Sequence, residues 1–370
     1  MKVCVIFGGP SPEHDVSILT GLQASRILQN AGHSVTCIYW SKAGEFFETP
    51  PELEARDYLE GPPKGHRPLR FVVNSNGGFF YQEGLLARRI KRLELDVVLN
   101  ACHGGPGEDG TLQAALDLCG IPYTGPSYVG AFVGMDKYLF YCMARDAGMP
   151  VLDRVAGSAL RLTKISFDPP YILKPRFGGS SIGIEVVADR ATLESVAKNS
   201  VHLRGGFVVE PYREDLFDLN IAVKTWPRLE LSAIERPLRE DSQRAVLDYE
   251  QKYMRREGLE GMAREVPAKL NSEIEETIRR FATEIATIAA VRSVARIDFL
   301  SDGEEVYLNE INTIPGALSV YLWVDPRIEP AELLEQMLEE AVQAPPRTFD
   351  ATGAEGSLLR VASSIASKLA

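Results

Sequence analysis

The sequence predicts an α/β protein with α+β portions, organised in more than one domain and led by an N-terminal parallel sheet. Three observations carry this. Short β-branched runs alternate with helical patterns over about the first hundred residues, the sign of strands joined by crossover helices. Two strand-like runs on either side of Asp302-Gly303 read as an antiparallel hairpin. The length of 370 residues leaves room for two or three domains, each able to bury its own core. Composition agrees, since 45% hydrophobic and 25% charged residues sit at the averages for soluble globular chains.

In chain order, residues 3–7 form the first strand, ended by Gly8-Gly9. After a polar loop, Ala24, Ile27, Leu28 and Ala31 recur at helical spacing and Gly32 closes that helix. Residues 35–39 read as the second strand, 49–65 as a Pro, Glu and Gly-rich surface excursion, and 69–73 with 79–82 as a hairpin turning at Asn76-Gly77-Gly78. The strand 96–100 delivers His103-Gly-Gly-Pro-Gly-Glu-Asp-Gly110 at its carboxyl end, where open α/β sheets place ligands. A second unit opens near Pro126, with one helix carrying Met135-Asp-Lys137 and a strand 171–174 leading into a Gly and Ser-rich loop. A third opens at Glu210, with a strand 219–223, a long helix 272–290 and paired strands 294–300 and 306–311. Residues beyond Ala344 form a tail, amphipathic over 358–369.

The net charge of −11, without basic runs, argues against nucleic acid and anionic membrane surfaces as partners, since both require clustered Lys and Arg. The five cysteines lie among apolar neighbours with no C-x-x-C pair and read as reduced core thiols. Met1 runs directly into a strand with no leader pattern, and no later run suits a membrane span. A cytoplasmic location is expected.

The most informative stretch is Arg296-Ile-Asp-Phe299 with Glu310-Ile-Asn312. Residues two apart on a strand share a face, so Arg296 and Asp298 point one way, as do Glu310 and Asn312. The turn at Asp302-Gly303 puts Asp298 nearly opposite Glu310. Like charges so placed repel, and a divalent cation reverses that sign. Oxygen ligands without Cys or His favour Mg²⁺, with Mn²⁺ as an alternative. An exposed hairpin with solvated acids is the competing reading, and the following Pro315-Gly316 turn, which suits close approach of backbone to a ligand, favours the metal. Lys174 precedes a loop containing Gly179, Ser180 and Ser181, which suits phosphate oxygens but also fits a plain hairpin turn. In the loop after the first strand, Asp15 or Ser17 would cap a helix, leaving Glu13 to bind an ammonium group. His103 reads either as structural or as part of a site, and Lys252-Tyr253 lies in a polar segment that reads as a mobile loop or as surface charge.

Taken in order, Gly8-Gly-x-Ser-x-Glu-His-Asp-Val-Ser17, His103-Gly-x-x-Gly-Glu-Asp-Gly-Thr-Leu-Gln113, Gly120-Ile-Pro-Tyr-Thr-Gly125, Met135-Asp-Lys137, Lys174-Pro-x-x-x-Gly-Ser-Ser-x-Gly183, Lys252-Tyr253, Arg296-x-Asp298 and Glu310-x-Asn-Thr-x-Pro-Gly316 closely resemble the D-alanine-D-alanine ligases of the ATP-grasp superfamily. The resemblance covers residues 2–335. It implies an ATP-grasp fold with a substrate-binding domain at 1–125, a central domain at 126–209, a C-terminal, metal-binding domain at 210–344 and a tail at 345–370. It further implies ATP, Mg²⁺ and amino-acid substrates, and a homodimer. Residue by residue, Lys137, Lys174, Gly179 and Ser181 would contact the nucleotide, with Glu210 at the adenine and Asp218 at the ribose. Asp298, Glu310 and Asn312 would hold the metal, and Arg296 with the Gly316 amide would form an oxyanion site. Glu13, Ser180 and Tyr253 would close a loop over the substrates, Lys252 would approach the transferred phosphate, and His103, Tyr321 and Leu322 would meet substrate.

The chain departs from the family pattern at three places. Asp218 stands where the family usually has Glu, after a loop one residue longer, with Glu214 as an alternative ribose ligand. Tyr321-Leu322 stands where the family presents Ser then Leu. The tail has no counterpart. The implied activity is ATP-dependent formation of D-alanyl-D-alanine for cell-wall precursors. The alternatives are a relative using another second amino acid or amine, a kinase, and a regulatory nucleotide-binding protein.

Overall fold

The computed structural model describes residues 1–83, 89–158, 161–162, 164–238, 263–344, 347–361 and 365. Its first sheet contains β1 (Lys2–Gly8), β2 (Ser34–Trp40), β3 (Phe46–Thr49), β4 (Arg67–Val72), β5 (Gly78–Glu83), β6 (Arg89–Arg92) and β7 (Val97–Asn100), in the order β6-β5-β4-β3-β2-β1-β7. β1 pairs parallel with β2 and β7, which is the expected parallel core. An antiparallel meander extends it from β2 to β6. β1 is buried from Val3 onward because both of its faces are covered. Val3, Val5 and Phe7 join one cluster, while Cys4 and Ile6 join another with Ile38, Val98 and Leu116. The expected surface excursion is partly drawn inward, since Tyr58 is buried with its ring 5.6 Å from Phe7 and 5.2 Å from Tyr39.

Helix α1 (His14–Asn30) covers one face and begins ten residues before Ala24, the first residue of the apolar spacing. Its polar first turn is recruited by tertiary bonds: His14 Nε2 lies 3.2 Å from the Tyr39 hydroxyl, and the Ser17 hydroxyl oxygen accepts from His103 N at 2.8 Å. Neither Asp15 nor Ser17 caps it, because Glu13 occupies the N-cap position and no side chain makes a capping bond. Gly21 packs so closely on β1 that a Cβ there would lie 2.4 Å from the Phe7 Cβ.

Four helices follow, α2 (Gly105–Glu108), α3 (Thr111–Leu118), α4 (Tyr128–Met135) and α5 (Lys137–Asp146). The single helix expected around Met135-Asp-Lys137 is therefore two. Asp136 takes an extended conformation, and its carboxylate caps α5 by accepting from Tyr138 N at 3.0 Å and Leu139 N at 3.1 Å. Arg176 holds the same carboxylate through bonds of 2.7 and 2.6 Å.

The second sheet contains β8 (Val155–Ser158), β9 (Arg161–Leu162), β10 (Tyr171–Pro175), β11 (Glu185–Val187) and β12 (Phe207–Pro211), ordered β11-β10-β12-β8-β9, with α6 (Arg190–Asn199) against it. The third contains β13 (Phe217–Lys224), β14 (Glu230–Pro237), β15 (Arg264–Glu265), β16 (Val294–Ser301) and β17 (Val306–Asn312), ordered β15-β14-β13-β16-β17. α7 (Ser272–Ile288) covers it with Ile274, Ile278 and Ile285. The expected opening of the third unit at Glu210 needs correction. Glu210 lies in β12 opposite Ile172, and the third sheet opens at Phe217.

After β17 the chain makes a tight turn at Gly316–Leu322, where Ala317, Leu318 and Ser319 take left-handed φ of 49°, 50° and 52°. Ile314, Leu318, Leu322 and Trp323 then join the core beneath α1, together with Leu333, Leu334 and Met337 of α8 (Pro330–Gln343). The tail touches the body through Arg347, which donates to the Tyr128 hydroxyl at 2.7 Å. α9 (Ser357–Val361), inside the expected amphipathic stretch, is exposed at Leu358 and Leu359. All five cysteines are free, four buried and Cys142 half-buried. Among the described residues no helix is long and apolar enough to cross a membrane.

Gly21→Ala should lower the midpoint of thermal unfolding. Alanine gains about 1 kcal/mol of helix propensity, but forcing a methyl against Phe7 costs about 1–3 kcal/mol. A raised midpoint would mean that α1 can shift off β1.

Candidate functional site

The third sheet sets the acidic residues. Asp298 pairs with Glu310 in the β16–β17 register, as the hairpin symmetry predicted, and Arg296 pairs with Asn312. Arg296 grips Asp298 through two bonds of 2.7 Å, Nε to Oδ1 and Nη2 to Oδ2, and Asn312 Nδ2 donates to Asp298 Oδ2 at 2.9 Å. Burial opposes charge on Arg296, but Asp298 outweighs it and holds the guanidinium protonated. Glu310 pairs with Lys137 Nζ at 2.9 Å, and the same ammonium donates to Gly178 O at 2.7 Å. Protein cations thus offset the cross-strand repulsion.

The second sheet supplies a buried ion triad. Glu210 Oε2 lies 2.9 Å from Lys174 Nζ, and Oε1 lies 2.9 Å from Arg154 Nε, an ion pair whose angle does not make a hydrogen bond. Burial raises the Glu210 pKa, yet Arg154 and Lys174 together bring it below the ordinary value, so the carboxylate is ionised. Arg154 also donates to Lys137 O at 2.6 Å and Asn309 O at 3.2 Å, joining α5, β12 and β17. Lys174 reaches Asn309 Oδ1 at 3.3 Å. The Glu210 carboxylate, expected at an adenine, is therefore committed to two cations, because a buried charge must be paired.

The first unit supplies Glu13 at the start of α1. Ser180 donates its hydroxyl to Glu13, and a Cβ at Gly104 or Gly179 would lie 2.5 or 2.7 Å from Glu13 Oε2. Bare backbone from two loops therefore surrounds this carboxylate. Ser180 and Ser181 both have positive φ, in the turn between β10 and β11. Of the two readings of His103, the structural one fits its contacts. Nδ1 lies 2.6 Å from Ile314 O and Nε2 lies 2.8 Å from Thr20 Oγ1, so the proton belongs on Nδ1, facing the carbonyl. Burial holds its pKa below the ordinary value and the ring stays neutral.

These groups face one cleft, whose lining includes Glu13, His103, Lys174, Ser180, Ser181, Glu210, Asp218, Arg296, Asp298, Glu310, Asn312, Gly316 and Tyr321. Lys137 reaches the cleft through Glu310, and Gly179 stands against Glu13. Leu322 does not belong to the site: the left-handed turn carries it into the core, fully buried. Asp218 lines the cleft, whereas Glu214 is exposed and outside the lining. Lys252 and Tyr253 lie outside the described residues.

Residue-level reading missed several groups. Glu108 accepts from Gly104 N and Ile314 N, both at 2.8 Å, and from the Thr313 hydroxyl at 3.3 Å. Its place in the quoted His103–Gln113 run was the available signal. Arg154, Glu235 and Arg264 carry no motif, and only the fold brings them to the site. Among the described residues no group of three His, Cys, Asp or Glu side chains forms a metal cage. Two carboxylates and the Asn312 amide instead suit a hard cation that completes its shell with water and substrate oxygens.

The family models described as D-ala D-ala ligase N-terminus and D-ala D-ala ligase C-terminus match residues 2–126 and 156–339. The chain belongs to the D-alanine-D-alanine ligase family. It is 32% identical over 323 residues to the D-alanine–D-alanine ligase of Campylobacter lari, covering 87% of this chain and 89% of that one. The D-alanine-D-alanine ligase structure from Helicobacter pylori matches with a TM-score of 0.71 at 26% identity, over 94% of this chain and all of that one. The VanG D-Ala:D-Ser ligase of Enterococcus faecalis matches with a TM-score of 0.73 at 25% identity, over 92% and 99%. The chain is thus an ATP-grasp ligase of a family that uses ATP and Mg²⁺ on amino acids and serves peptidoglycan synthesis.

In this ligase, burial and then Glu13 push the Glu108 carboxyl up to about 7, against the pull of its three donors. With the folded-state value above the ordinary 4.5, the folded chain keeps a proton that the unfolded chain loses. That stability is full below the unfolded value and is lost as pH rises through the folded one. Glu108→Gln should remove this loss, on the order of 2–3 kcal/mol, from urea unfolding compared across the same window. An unchanged slope would assign the pH dependence elsewhere.

Proposed function

We propose that this ligase joins D-alanine to a second D-amino acid, most simply D-alanine, through an acyl phosphate, releasing ADP and phosphate. The observation that carries this is the convergence on one cleft of the Glu13–Ser180 contact, the Arg296 and Gly316 pair, and the Asp298–Glu310 step. Glu13 binds the first ammonium group and Ser180 orients it. Lys137 and Lys174, with Gly179 and Ser181, receive the nucleotide phosphates, and the adenine lies beside Glu210 with the ribose at Asp218. Asp298, Glu310 and Asn312 fit Mg²⁺, which when bound neutralises phosphoryl charge. A carboxylate is a poor electrophile until one oxygen can leave, and phosphorylation by ATP makes it leave. Arg296 and the Gly316 amide then stabilise the oxyanion formed as the second amine attacks. Lys252 and Tyr253, which the resemblance would bring to this site, lie outside the described residues. The family's role in peptidoglycan synthesis supports a cytoplasmic enzyme.

A second reading, a partner amino acid other than D-alanine, is favoured by Tyr321, a large residue on the cleft. The likeness to the VanG D-Ala:D-Ser ligase also supports it. Mass spectrometry of products from ATP, Mg²⁺ and a panel of D- and L-amino acids tests both. A dipeptide with ADP and phosphate is expected, and AMP with pyrophosphate would refute the acyl phosphate.

Glu310→Gln keeps the shape but leaves Lys137 without its counter-ion and the site without one charge. Turnover should fall about 100-fold or more while the protein still folds cooperatively, relief of the repulsion with Asp298 offsetting part of the lost ion pair. Near-native turnover at limiting Mg²⁺ would remove Glu310 from the metal set.

A further inference from the structure

The described part of the tail after α8 lines no part of the cleft, yet it is anchored where two units of the fold meet. Arg347 N donates to Asp117 Oδ1 of α3 at 3.3 Å, and its guanidinium donates to the Tyr128 hydroxyl of α4 at 2.7 Å. The guanidinium carbon lies 5.5 Å from the Tyr128 ring centroid and 5.0 Å from that of Phe349. One cation therefore serves a ring of the body and a ring of the tail. α3 packs on the first sheet through Leu112 and Leu116, whereas α4 leads through Asp136 into Lys137.

Beside this anchor α4 presents an apolar face to water. Tyr128, Val129 and Phe132 are exposed, and with Asp109, Gly110 and Thr111 they line a shallow groove against the α2–α3 junction. The tail carries a face to match, since Leu358, Leu359, Val361 and Ile365 are each exposed by 74% or more. Positions 358, 361 and 365 fall on one side of a helix. Residues 357–370 hold Arg360 and Lys368 and no acid, in a chain of net charge −11, and the groove supplies Asp109. Leu358 follows Phe349 by nine residues, a reach of about 30 Å in extended chain, whereas the face from Tyr128 to Phe132 is about 6 Å long. A segment tethered this closely meets the groove at an effective concentration on the order of millimolar, which a separate molecule would have to match.

We propose that the groove is the docking surface for this chain's own tail, with Leu358, Val361 and Ile365 covering Val129 and Phe132 and with Arg347 as the anchor. Docking removes two apolar faces from water at once. The docked tail is a strap that holds α3 of the first unit to the helix ahead of Lys137. None of these contact residues lines the cleft, so the strap stands apart from the ligase reading.

The test is amide hydrogen exchange of the full chain, read by mass spectrometry with no substrate added. Leu358→Asp combined with Ile365→Asp alters exposed positions only, so the fold should survive. That variant should speed exchange across residues 128–135 about fivefold or more and leave residues 3–7 unchanged. Phe132→Asp should in turn speed exchange across residues 357–361. An unchanged rate at 128–135 in the tail variant would overturn the proposal, as would an unchanged rate at 357–361 in Phe132→Asp. Arg347→Ala keeps both apolar faces and should give a smaller rise at 128–135, whereas no rise would overturn the anchor. The rival occupant is a second copy of the chain. Protection of 128–135 should not depend on protein concentration. Protection that grows with concentration, alongside a dimer by light scattering that Phe132→Asp dissociates and the tail variant does not, would assign the face to that copy and overturn the strap.

Discussion

Asp298 and Glu310 face each other across one register step of a hairpin, and most of the cleft is arranged around the cost of putting them there. Two like charges in a ladder destabilise it, so each must be matched locally. Arg296 answers Asp298 from the same strand face, and Asn312 adds a donor from the facing strand. Lys137 answers Glu310 from outside the sheet. Because the Lys137 ammonium also holds Gly178 O, the loop after β10 is tied to the same charge. Arg154 then fixes the main chain at Lys137 and Asn309 while pairing with Glu210. A repulsion set by two residues is thus distributed over three elements, and the result is a cleft with cations and anions in fixed alternation.

The amino-acid end depends on a second kind of constraint, backbone approach. Glu13 is enclosed by Gly104 and Gly179, where a side chain would collide with its carboxylate. His103 and Glu108 both reach the Ile314 backbone, one at its carbonyl and one at its N–H. Thr20 completes the bracing by accepting from Ala317 N at 3.2 Å. The turn carrying Gly316 is therefore held by the first unit although it follows a strand of the third.

Much of this was legible in the sequence where the controlling interaction is local. Strand alternation and a two-residue turn signal placed Asp298 opposite Glu310, and residues 3–7 read as a strand because every position is apolar. The glycine and serine loop was visible as composition, whereas its association with Glu13 came only from the family resemblance. Legibility failed where partners come from afar. Arg154 and Glu108 look like ordinary surface charges until distant segments bury them. Asp136 hides its helix break because Met135 and Lys137 on either side of it favour helix. Leu322 was misplaced because it was carried over from the family's Ser-Leu pair, whereas three left-handed residues before it turn its side chain into the core. Glu210 was assigned to the wrong sheet because the short connection to β13 gives little sign of where one sheet ends.

The shared core beneath α1 bears on how such proteins recombine. Leu318, Leu322 and Trp323 follow the third sheet in the chain, yet they pack with Phe7, Ile18 and Leu22 from the first unit. A chimera spliced between sheets would split this packing, joining one parent's turn to another parent's floor. Residues 314–323 and the residues under them must travel together when halves of relatives are exchanged. The inheritable unit at this end of the molecule is consequently an interface, assembled from two remote stretches of sequence, rather than any contiguous segment.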